Sequence, residues 1–468
     1  MTKNLVILNL ILNTPLKMYN LTNPYDSSFL SKYEYFTDIQ ASRLIDLSQE
    51  TFVDWGKTPL NERVKFIKTL IFTLTKQQHF LAKTCTLEMG KPINQSIAEI
   101  KKCSLLCEYY SKNASDFLNS KHISTDAKES FVTYEPLGVI LGVMPWNFPY
   151  WQVFRFAIPA ILAGNTVVVK HASNVAGCAK LIEELFLEAG FPKGVYQNLA
   201  LSGDQVENVI NNPNIKAVSL TGSEKAGATV ASSAARQIKK AVLELGGSNA
   251  LIVCKDADLN DVIPIAVNAR MQNAGQSCIA AKRFFVHQSL FEEFIARLKK
   301  SVEALKMGNP MLEDTDIGPL ARIDLAKDIE EQVNKSKAMG AKVITGGNRK
   351  DAFYEPTILV DVTVDMPVFN EEVFGPAVPV MAFNTFEEAI TLSNKTSFGL
   401  GVSVFTKDIE EIKNKVHLFE EGAVFINAMV KSDPALPFGG IKRSGYGREL
   451  AENGIKEFVN VKTVYIKS

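Results

Sequence analysis

Apolar residues recur at helical spacing through the first quarter of the chain. Ile67 and Leu70 are one example, because residues three or four apart lie on one face of a helix. The same spacing runs through the segments on either side. The pattern predicts three long helices, over 38–55, 60–89 and 95–118.

The pattern changes at residues 120–134, where two short runs of strand-like residues flank the polar turn 125–128. A polar turn between two such runs predicts a β-hairpin. Because the hairpin interrupts a chain that otherwise alternates strands and helices, we interpret it as a protruding arm.

From Gly138 onward, short apolar runs rich in β-branched residues alternate with amphipathic segments. The predicted strands are Gly138–Val143, Thr166–Lys170, Gly194–Leu199, Ile215–Leu220 and Ala241–Leu245. The predicted helices are Gln152–Leu162, Gly177–Glu188, Gln205–Ile210 and Glu224–Arg236. This alternation is typical of a parallel sheet covered by helices on both faces.

A second series of strands begins after Gly246 and Gly247. Its members are Asn249–Val253, Arg283–Val286, Pro379–Phe383 and Ala423–Ile426. We therefore predict an α/β protein built from two consecutive α/β units with a seam near these two glycines.

The charge balance and the cysteines exclude some functions. The 468 residues include 51 Lys plus Arg and 51 Asp plus Glu, so the formal net charge is zero. This argues against nucleic acid or a charged membrane surface as a partner. The six cysteines form no CxxC pair, which predicts no disulfide scaffold and no metal site, and indicates the cytoplasm. Cys103 and Cys107 are interpreted as core residues.

Two apolar segments are candidates for a signal peptide or for a membrane-spanning segment. Residues 5–12 resemble the core of a weak signal peptide, but no small-residue cleavage site follows them. We interpret residues 1–17 as an N-terminal extension of unknown role, with Met18 as an alternative start. Residues 136–169 are long enough to cross a bilayer, but their four prolines and several polar side chains favour a buried interior segment.

Cys278 follows the stretch Asn273-Ala-Gly-Gln-Ser277, whose small residues predict a tight turn. A thiol beside the backbone N–H groups of such a turn can be held as a thiolate. Taken alone, Cys278 is more simply interpreted as a buried, inert thiol.

Glu244 ends an apolar strand beside Gly246 and Gly247. Burial would raise its pKa toward the range useful for a general base. The alternative is a surface carboxylate on an edge strand.

Asn147 lies between two prolines in Met144-Pro-Trp-Asn-Phe-Pro149. A rigid apolar loop of this kind makes its amide either a turn former or a preorganised donor to an oxyanion.

Two further segments follow predicted strands. Thr221–Gly227 opens a helix, where Gly222 and Ser223 suit a pyrophosphate or simply start the helix. Lys170 ends a strand and Ser173 follows it, at the edge where doubly wound sheets bind ligands, although a solvated lysine is the plain alternative.

Together these segments resemble the aldehyde dehydrogenase superfamily. The match lies in their order along the chain from about residue 20 to the C-terminus. The matching motifs are Trp146-Asn147, Lys170, Thr221-Gly-Ser223, Glu244-Leu-Gly-Gly247, Gly275-Gln-Ser-Cys278, Glu371-Glu-Val-Phe-Gly-Pro376 and Pro437-Phe-Gly-Gly440. The stretches Met144–Arg155 and Lys170–Asn174 are similar to bacterial succinate-semialdehyde dehydrogenases.

The resemblance implies a Rossmann-like cofactor domain, an α/β catalytic domain and a small β oligomerisation arm. The expected boundaries are 18–119 and 137–246 for the cofactor domain, 247–445 for the catalytic domain, and 120–136 with 455–468 for the arm. Members of the superfamily are homodimers or homotetramers, and this chain is expected to be one or the other.

The resemblance also implies roles for individual residues. Cys278 is the expected nucleophile, Asn147 the oxyanion donor and Glu244 the base that activates water. Cofactor contacts are expected from Trp146, Lys170, Ser173, Gly222, Ser223, Glu372 and Phe374. Ser173 stands where relatives that prefer NAD often carry an acid, so we expect NADP, with NAD as an alternative cofactor.

The implied substrate is succinate semialdehyde, which carries a carboxylate at its far end. Arg155 is the only formal charge in 136–169, so it needs an anionic partner, which is either this carboxylate or one of the protein. Ser432 is the expected second donor. The alternatives are another aldehyde, such as glutarate semialdehyde or an apolar one, and more remotely a non-catalytic structural or binding protein.

Overall fold

The structure, a computed structural model, describes residues 17–467. The apolar run 5–12 and all of the predicted extension except Lys17 therefore lie outside the described residues. The described chain opens with an antiparallel hairpin that the sequence pattern did not predict. Its strands are β1 (Met18–Thr22) and β2 (Phe29–Glu34).

Three long helices follow, and they confirm the predicted helices almost to the residue. They are α1 (Asp38–Trp55), α2 (Leu60–Met89) and α3 (Ile93–Leu118). Local signals set the first boundary, because Thr37 and Gln40 form a reciprocal capping box at the start of α1. Cys103 and Cys107 lie fully buried in the core, as predicted.

The predicted hairpin is also present. Its strands, β3 (Lys121–His122) and β4 (Glu129–Pro136), pair antiparallel around the polar turn.

A six-stranded sheet comes next, and five of its strands run parallel. These five strands are β5 (Val139–Met144), β6 (Thr166–His171), β7 (Tyr196–Asn198), β8 (Ile215–Thr221) and β9 (Lys240–Glu244). The connecting helices are α4 (Trp151–Leu162), α5 (Ala176–Glu188), α6 (Val206–Asn211) and α7 (Glu224–Arg236). The strand order β9-β8-β5-β6-β7 brings the loops after β5, β8 and β9 together.

The chain then enters a seven-stranded sheet of order β12-β15-β16-β11-β10-β18-β19, in which only β12 is antiparallel to its neighbour. The strands of this part of the chain are β10 (Asn249–Val253), β11 (Ala281–His287), β12 (Lys342–Thr345), β13 (Arg349–Lys350), β14 (Phe353–Tyr354), β15 (Thr357–Val360), β16 (Ala377–Phe383), β17 (Phe398–Gly399), β18 (Val402–Phe405) and β19 (Val424–Ile426). The helices are α8 (Leu259–Met271), α9 (Phe291–Glu303), α10 (Ile323–Ala338), α11 (Pro367–Asn370), α12 (Phe386–Asn394) and α13 (Ile409–Lys415). The predicted α/β fold with two successive sheets is confirmed.

The C-terminal segment returns to the first sheet. It contains β20 (Ile441–Lys442), β21 (Gly445–Tyr446), α14 (Ala451–Lys456) and β22 (Val459–Ile466). β21 adds an antiparallel edge next to β9, and β22 pairs with β4 to make a three-stranded sheet with β3.

The apolar stretch 136–169 forms β5, α4 and β6 in the interior, as predicted, and every residue of α4 is buried. Across residues 17–467, no helix combines the length and the apolarity that crossing a membrane would require.

Candidate active site

The predicted site residues come from loops at the carboxyl ends of neighbouring strands. Asn147 follows β5, Gly222 follows β8, and Glu244 is the last residue of β9. The backbone joins two of these strand ends, because the Gly222 N–H donates to the Glu244 carbonyl oxygen at 3.0 Å. Sheets of this class bind ligands outside the carboxyl ends of their strands, at the point where the strand order reverses.

One cleft of about 370 Å³ collects seven of the predicted residues. They are Trp146, Asn147, Gly222, Ser223, Cys278, Glu372 and Phe374. The rings of Trp146 and Phe374 face each other edge to face, with centroids 5.9 Å apart, and wall one side. Residues from both sheets therefore line this cleft.

The loop before Cys278 is tightly wound, as its small residues predicted. After α8 the chain makes a 3-10 turn in which Asn273, Ala274 and Gly275 all have positive φ angles, of 55°, 51° and 73°. A side chain at Gly275 would collide with the carbonyl oxygen of Gly375, so glycine is required there. Strained backbone of this kind is typical of functional sites.

Hydrogen bonds on both sides fix the Asn147 amide. Its Nδ2 donates to the carbonyl oxygen of Gln276 at 3.1 Å, and its Oδ1 accepts from Gln152 Nε2 at 3.0 Å. Asn273 Nδ2 also donates to the Asn147 carbonyl oxygen at 2.9 Å. The buried amide nitrogen is thus held against the loop that carries Cys278.

The surroundings of Cys278 favour the protonated thiol, which is the alternative that the sequence left open. Burial raises the pKa of Cys278, and the positive charges of Arg155 and Lys282 only partly offset that effect. The carboxylates of Glu372 and Glu244 raise it further. The thiol must therefore lose its proton before the sulfur can attack a carbon.

Glu372 lies over the loop that joins the two sheets. Its Oε1 accepts from the Gly247 N–H at 3.0 Å and pairs with Lys282 Nζ at 3.0 Å. Lys282 Nζ also donates to the carbonyl oxygens of Ser277 and Cys278, both at 2.8 Å. This lysine therefore ties the Cys278 loop to the carboxylate that faces the cleft.

Glu244 is fully enclosed, so the alternative of a surface carboxylate is excluded. Neither carboxyl oxygen has a hydrogen-bond partner among residues 17–467. Burial raises the pKa of Glu244 well above its usual range, and Glu449 raises it further, against the opposing charges of Arg155 and Arg448. Gly439, at a φ of 153°, leaves room for this carboxyl, because a Cβ there would lie 2.6 Å from Oε1.

Arg155 has a carboxylate partner within the chain, and its role toward a substrate stays a prediction. Its guanidinium forms a buried ion pair with Glu449, stacks over the Phe438 ring at 4.5 Å and donates to Thr221 Oγ1 at 3.3 Å. The cost of burying an unpaired charge is met by a carboxylate of the chain itself. This is the alternative that the sequence left open.

Ser432, the expected second donor, is buried against α4. Its Oγ accepts from Trp151 Nε1 at 3.1 Å and from Lys102 Nζ at 2.7 Å. Its role toward a substrate stays a prediction.

Lys170 and Ser173 are not among the residues that line the main cleft; Lys170 is the last residue but one of β6, and Ser173 follows that strand. Ser173 is exposed and lines two neighbouring clefts formed with the N-terminal hairpin. Burial lowers the pKa of Lys170, and no carboxylate within residues 17–467 forms an ion pair with it. A lysine without an acidic partner suits a phosphate, and Ser173 carries a hydroxyl three residues later.

The residues around the cleft fit a phosphorylated dinucleotide. Ser223 caps α7, whose first N–H groups and dipole favour a pyrophosphate. Glu372 offers a carboxylate to ribose hydroxyls, and Trp146 and Phe374 offer apolar walls.

Sequence reasoning missed the residues that position this site. Lys282 and Arg270 are buried cations whose partners are mainly backbone carbonyls, and Arg270 holds the loop that contains Glu372 through the carbonyls of Val373, Gly375 and Ala377. The only signal for Lys282 was a charge at the start of an apolar strand.

Comparisons with known proteins bear on the family and the relatives of this chain. Residues 12–464 match the aldehyde dehydrogenase family model. The chain is 49% identical to a protein named "Probable succinate-semialdehyde dehydrogenase", NADP(+)-dependent, of Synechocystis sp., over 95% of this chain and 98% of that one. It is 40% identical to the NAD(P)+ succinate semialdehyde dehydrogenase Sad of Escherichia coli, over 95% and 96%. The solved succinic semialdehyde dehydrogenase of Streptococcus pyogenes, in complex with NADP+, superposes with a TM-score of 0.94 at 36% identity, over 96% and 100%.

Proposed function

The chain belongs to the aldehyde dehydrogenase family, and we propose that it oxidises succinate semialdehyde to succinate with NADP as the hydride acceptor. The observation that carries the chemistry is the cleft that the Cys278 thiol and the fixed Asn147 amide share, beside the strand end of Glu244. The names of the relatives support the substrate and the cofactor.

In the first step, Cys278 gives its thiol proton to solvent water, its Sγ attacks the aldehyde carbon, and the carbonyl electrons move to oxygen. Asn147 Nδ2 donates to this oxygen, whose negative charge exists only transiently, so a preformed donor lowers the barrier. When NADP is bound in the cleft, its nicotinamide supplies a hydride acceptor. Loss of hydride from the carbon held on Cys278 leaves a thioester.

In the second step, Glu244 takes a proton from water, and the water oxygen attacks the thioester carbon. The carbon–sulfur bond breaks, which releases the acid and returns Cys278. Because Glu244 is buried with a raised pKa, it must first give up its own proton to solvent water. A base placed for water favours the free acid over an acyl-coenzyme A product.

The direct test is a substrate survey with the purified full-length protein. We expect kcat/KM for succinate semialdehyde to exceed the values for glutarate semialdehyde and butanal, without a requirement for coenzyme A. A higher value for either of the other two aldehydes would replace the proposed substrate while leaving the reaction class in place.

The cofactor is tested at Ser173. Ser173→Glu should lower the NADP to NAD ratio of kcat/KM by about tenfold or more, because its carboxylate repels the 2′-phosphate. Ser173→Ala is the matched control and should have a smaller effect, because it only removes the hydroxyl. A wild-type enzyme that strongly prefers NAD would contradict the proposed use of NADP.

The proposed organisation keeps the predicted boundaries. These are 18–119 with 137–246 for the cofactor domain, 247–445 for the catalytic domain, and 120–136 with 455–468 for the arm.

Exposed apolar residues on β22, including Val461 and Tyr465, support an arm that associates with a second copy in a homodimer or homotetramer. Sedimentation of the wild type and of Val461→Lys tests this. The variant should dissociate.

We also propose the cytoplasm as the compartment, because all six cysteines are free.

A further inference from the structure

Lys282 is a buried cation near the start of β11, four residues after Cys278. Burying an ammonium group is costly even when it is paired, and an apolar side chain of similar length would fill the same space without that cost. The charge at this position therefore calls for a reason beyond the packing of β11.

The ammonium group of Lys282 lies between the Cys278 loop and the main cleft. Its Nζ donates to the carbonyl oxygens of Ser277 and Cys278, both at 2.8 Å. Its third partner is Glu372 Oε1, at 3.0 Å, and Glu372 lines the cleft. One positive charge is thus shared between the backbone of Cys278 and a carboxylate of the cleft.

The two ends of this ion pair differ in their access to solvent. The Glu372 side chain is 21% exposed, whereas that of Lys282 is 1% exposed. The Gly247 N–H donates to Glu372 Oε1 at 3.0 Å and fixes the carboxylate beside the cleft. A group that enters the cleft therefore meets Glu372 first. Neutralising Glu372 would leave more of the Lys282 charge to act on its other neighbours.

Four charged groups act on the Cys278 thiol. Burial contributes most to the raised pKa of Cys278, Arg155 and Lys282 lower this pKa, and Glu372 and Glu244 raise it. Lys282 and Glu372 therefore act on the thiol with opposite signs, although they are bonded to each other.

The Cys278 thiolate also favours the charged form of Lys282. Burial lowers the pKa of Lys282, Glu372 and Cys278 raise it, and Arg270 lowers it. Ionisation of the thiol adds a negative charge near the ammonium group, so the two charged forms stabilise each other. The positive charge is thus retained at the pH where the thiol ionises.

We propose that Lys282 is a positioning residue that links the Cys278 sulfur electrostatically to the Glu372 carboxylate. Its charge stabilises the thiolate, and Glu372 moderates that charge from the cleft. This inference rests on the proposed function only because it takes Cys278 as the nucleophile. It concerns the free enzyme and depends on no particular aldehyde.

The test is alkylation of Cys278 by iodoacetamide in the purified full-length protein across pH, without cofactor or substrate. The thiolate is the reactive form, so the midpoint of the rate profile reports the apparent pKa of the thiol, and peptide mass spectrometry identifies the modified cysteine. We expect Lys282→Met to raise the midpoint by about one pH unit, which slows alkylation about tenfold below the midpoint. Glu372→Gln should lower the midpoint, because the amide keeps the shape of the side chain without its charge.

Two further variants separate charge from shape. The double variant of Lys282→Met and Glu372→Gln removes both charges, so its midpoint should lie between those of the single variants. Lys335→Met is the control, because it removes an exposed cation of α10 that lines a second groove with Glu372 and pairs with Glu331 in solvent. Solvent screens that charge, and the midpoint should stay in place.

A shift in the same direction in Lys282→Met and Glu372→Gln would mean that the pair only shapes the loop, and would overturn the electrostatic role. If thermal melting shows that Lys282→Met does not fold, Glu372→Gln alone decides, and an unchanged or raised midpoint overturns the role. These outcomes leave the proposed function intact. A wild-type enzyme that still oxidises succinate semialdehyde after complete alkylation of Cys278 would overturn both.

Discussion

The two sides of Cys278 are built in opposite ways. On the oxyanion side, both polar atoms of the Asn147 amide are hydrogen-bonded, and the amide points at the Cys278 loop. On the carboxyl side, neither oxygen of Glu244 has a hydrogen-bond partner within residues 17–467, and Glu449 lies close by. The first side is ready before substrate arrives, whereas the second rests in an uncharged form.

This difference follows from the charge each side must handle. A neutral amide keeps the same charge throughout the reaction, so it can be fixed permanently. A buried carboxylate without donors is costly, so Glu244 rests protonated and ionises only when needed. We infer that formation and hydrolysis of the thioester respond to different groups and to different pH ranges.

Removal of the thiol should have the largest effect, because both steps take place on it. We expect Cys278→Ala to lower turnover by more than about 10⁴-fold, with no burst of reduced cofactor and an unchanged melting temperature. Cys254→Ala, the other partly buried cysteine, is the control and should retain activity. Clear turnover by Cys278→Ala would show that the two steps do not take place on this thiol.

Glu244→Gln should slow hydrolysis of the thioester without preventing its formation. The carboxyl is replaced by a group of similar shape that cannot accept a proton, so steady-state turnover should fall by about 10² to 10⁴-fold. Stopped-flow absorbance should still show a burst of reduced cofactor near one equivalent per active site. If burst and steady state fall together, Glu244 acts before the thioester forms.

Asn147→Ala should affect the opposite side. Loss of one oxyanion donor typically costs about 10² to 10³-fold, here in the rate of the burst itself. Gln152→Leu removes only the donor to Asn147 Oδ1 and should cause a smaller loss of the same rate. An unchanged burst rate in Asn147→Ala would mean that the amide only shapes the loop.

The sequence indicated the oxyanion side, with Asn147, better than the carboxyl side, with Glu244. The helices α1 and α2 and the turn before Cys278 follow from local spacing and small residues, which a single chain displays directly. The partner of Arg155 does not, because Glu449 lies at the far end of the chain and reaches the site only through the return of β21 to the first sheet. The state of the Cys278 thiol was left open, because burial raises the pKa of this thiol and a local turn does not reveal burial.

The smallest expected effect concerns the field around Glu244. After burial, Glu449 is the largest contribution that raises the pKa of Glu244, and Arg155 opposes it. Glu449→Gln removes the negative charge, keeps an oxygen toward Arg155 and leaves the guanidinium free to favour ionised Glu244. The pKa of Glu244 should fall, so the rise of deacylation rate with pH should move to lower pH. Single-turnover measurements of thioester hydrolysis across pH would show the shift, while the amplitude of the burst should not change.

Glu457→Gln is the graded control, because Glu457 also raises the pKa of Glu244 but contributes least of the named neighbours, and its shift should be in the same direction and smaller. If the pH dependence of thioester hydrolysis is the same in Glu449→Gln and the wild type, burial alone keeps Glu244 protonated. The charge of Glu449 would then have no part in the resting state of Glu244.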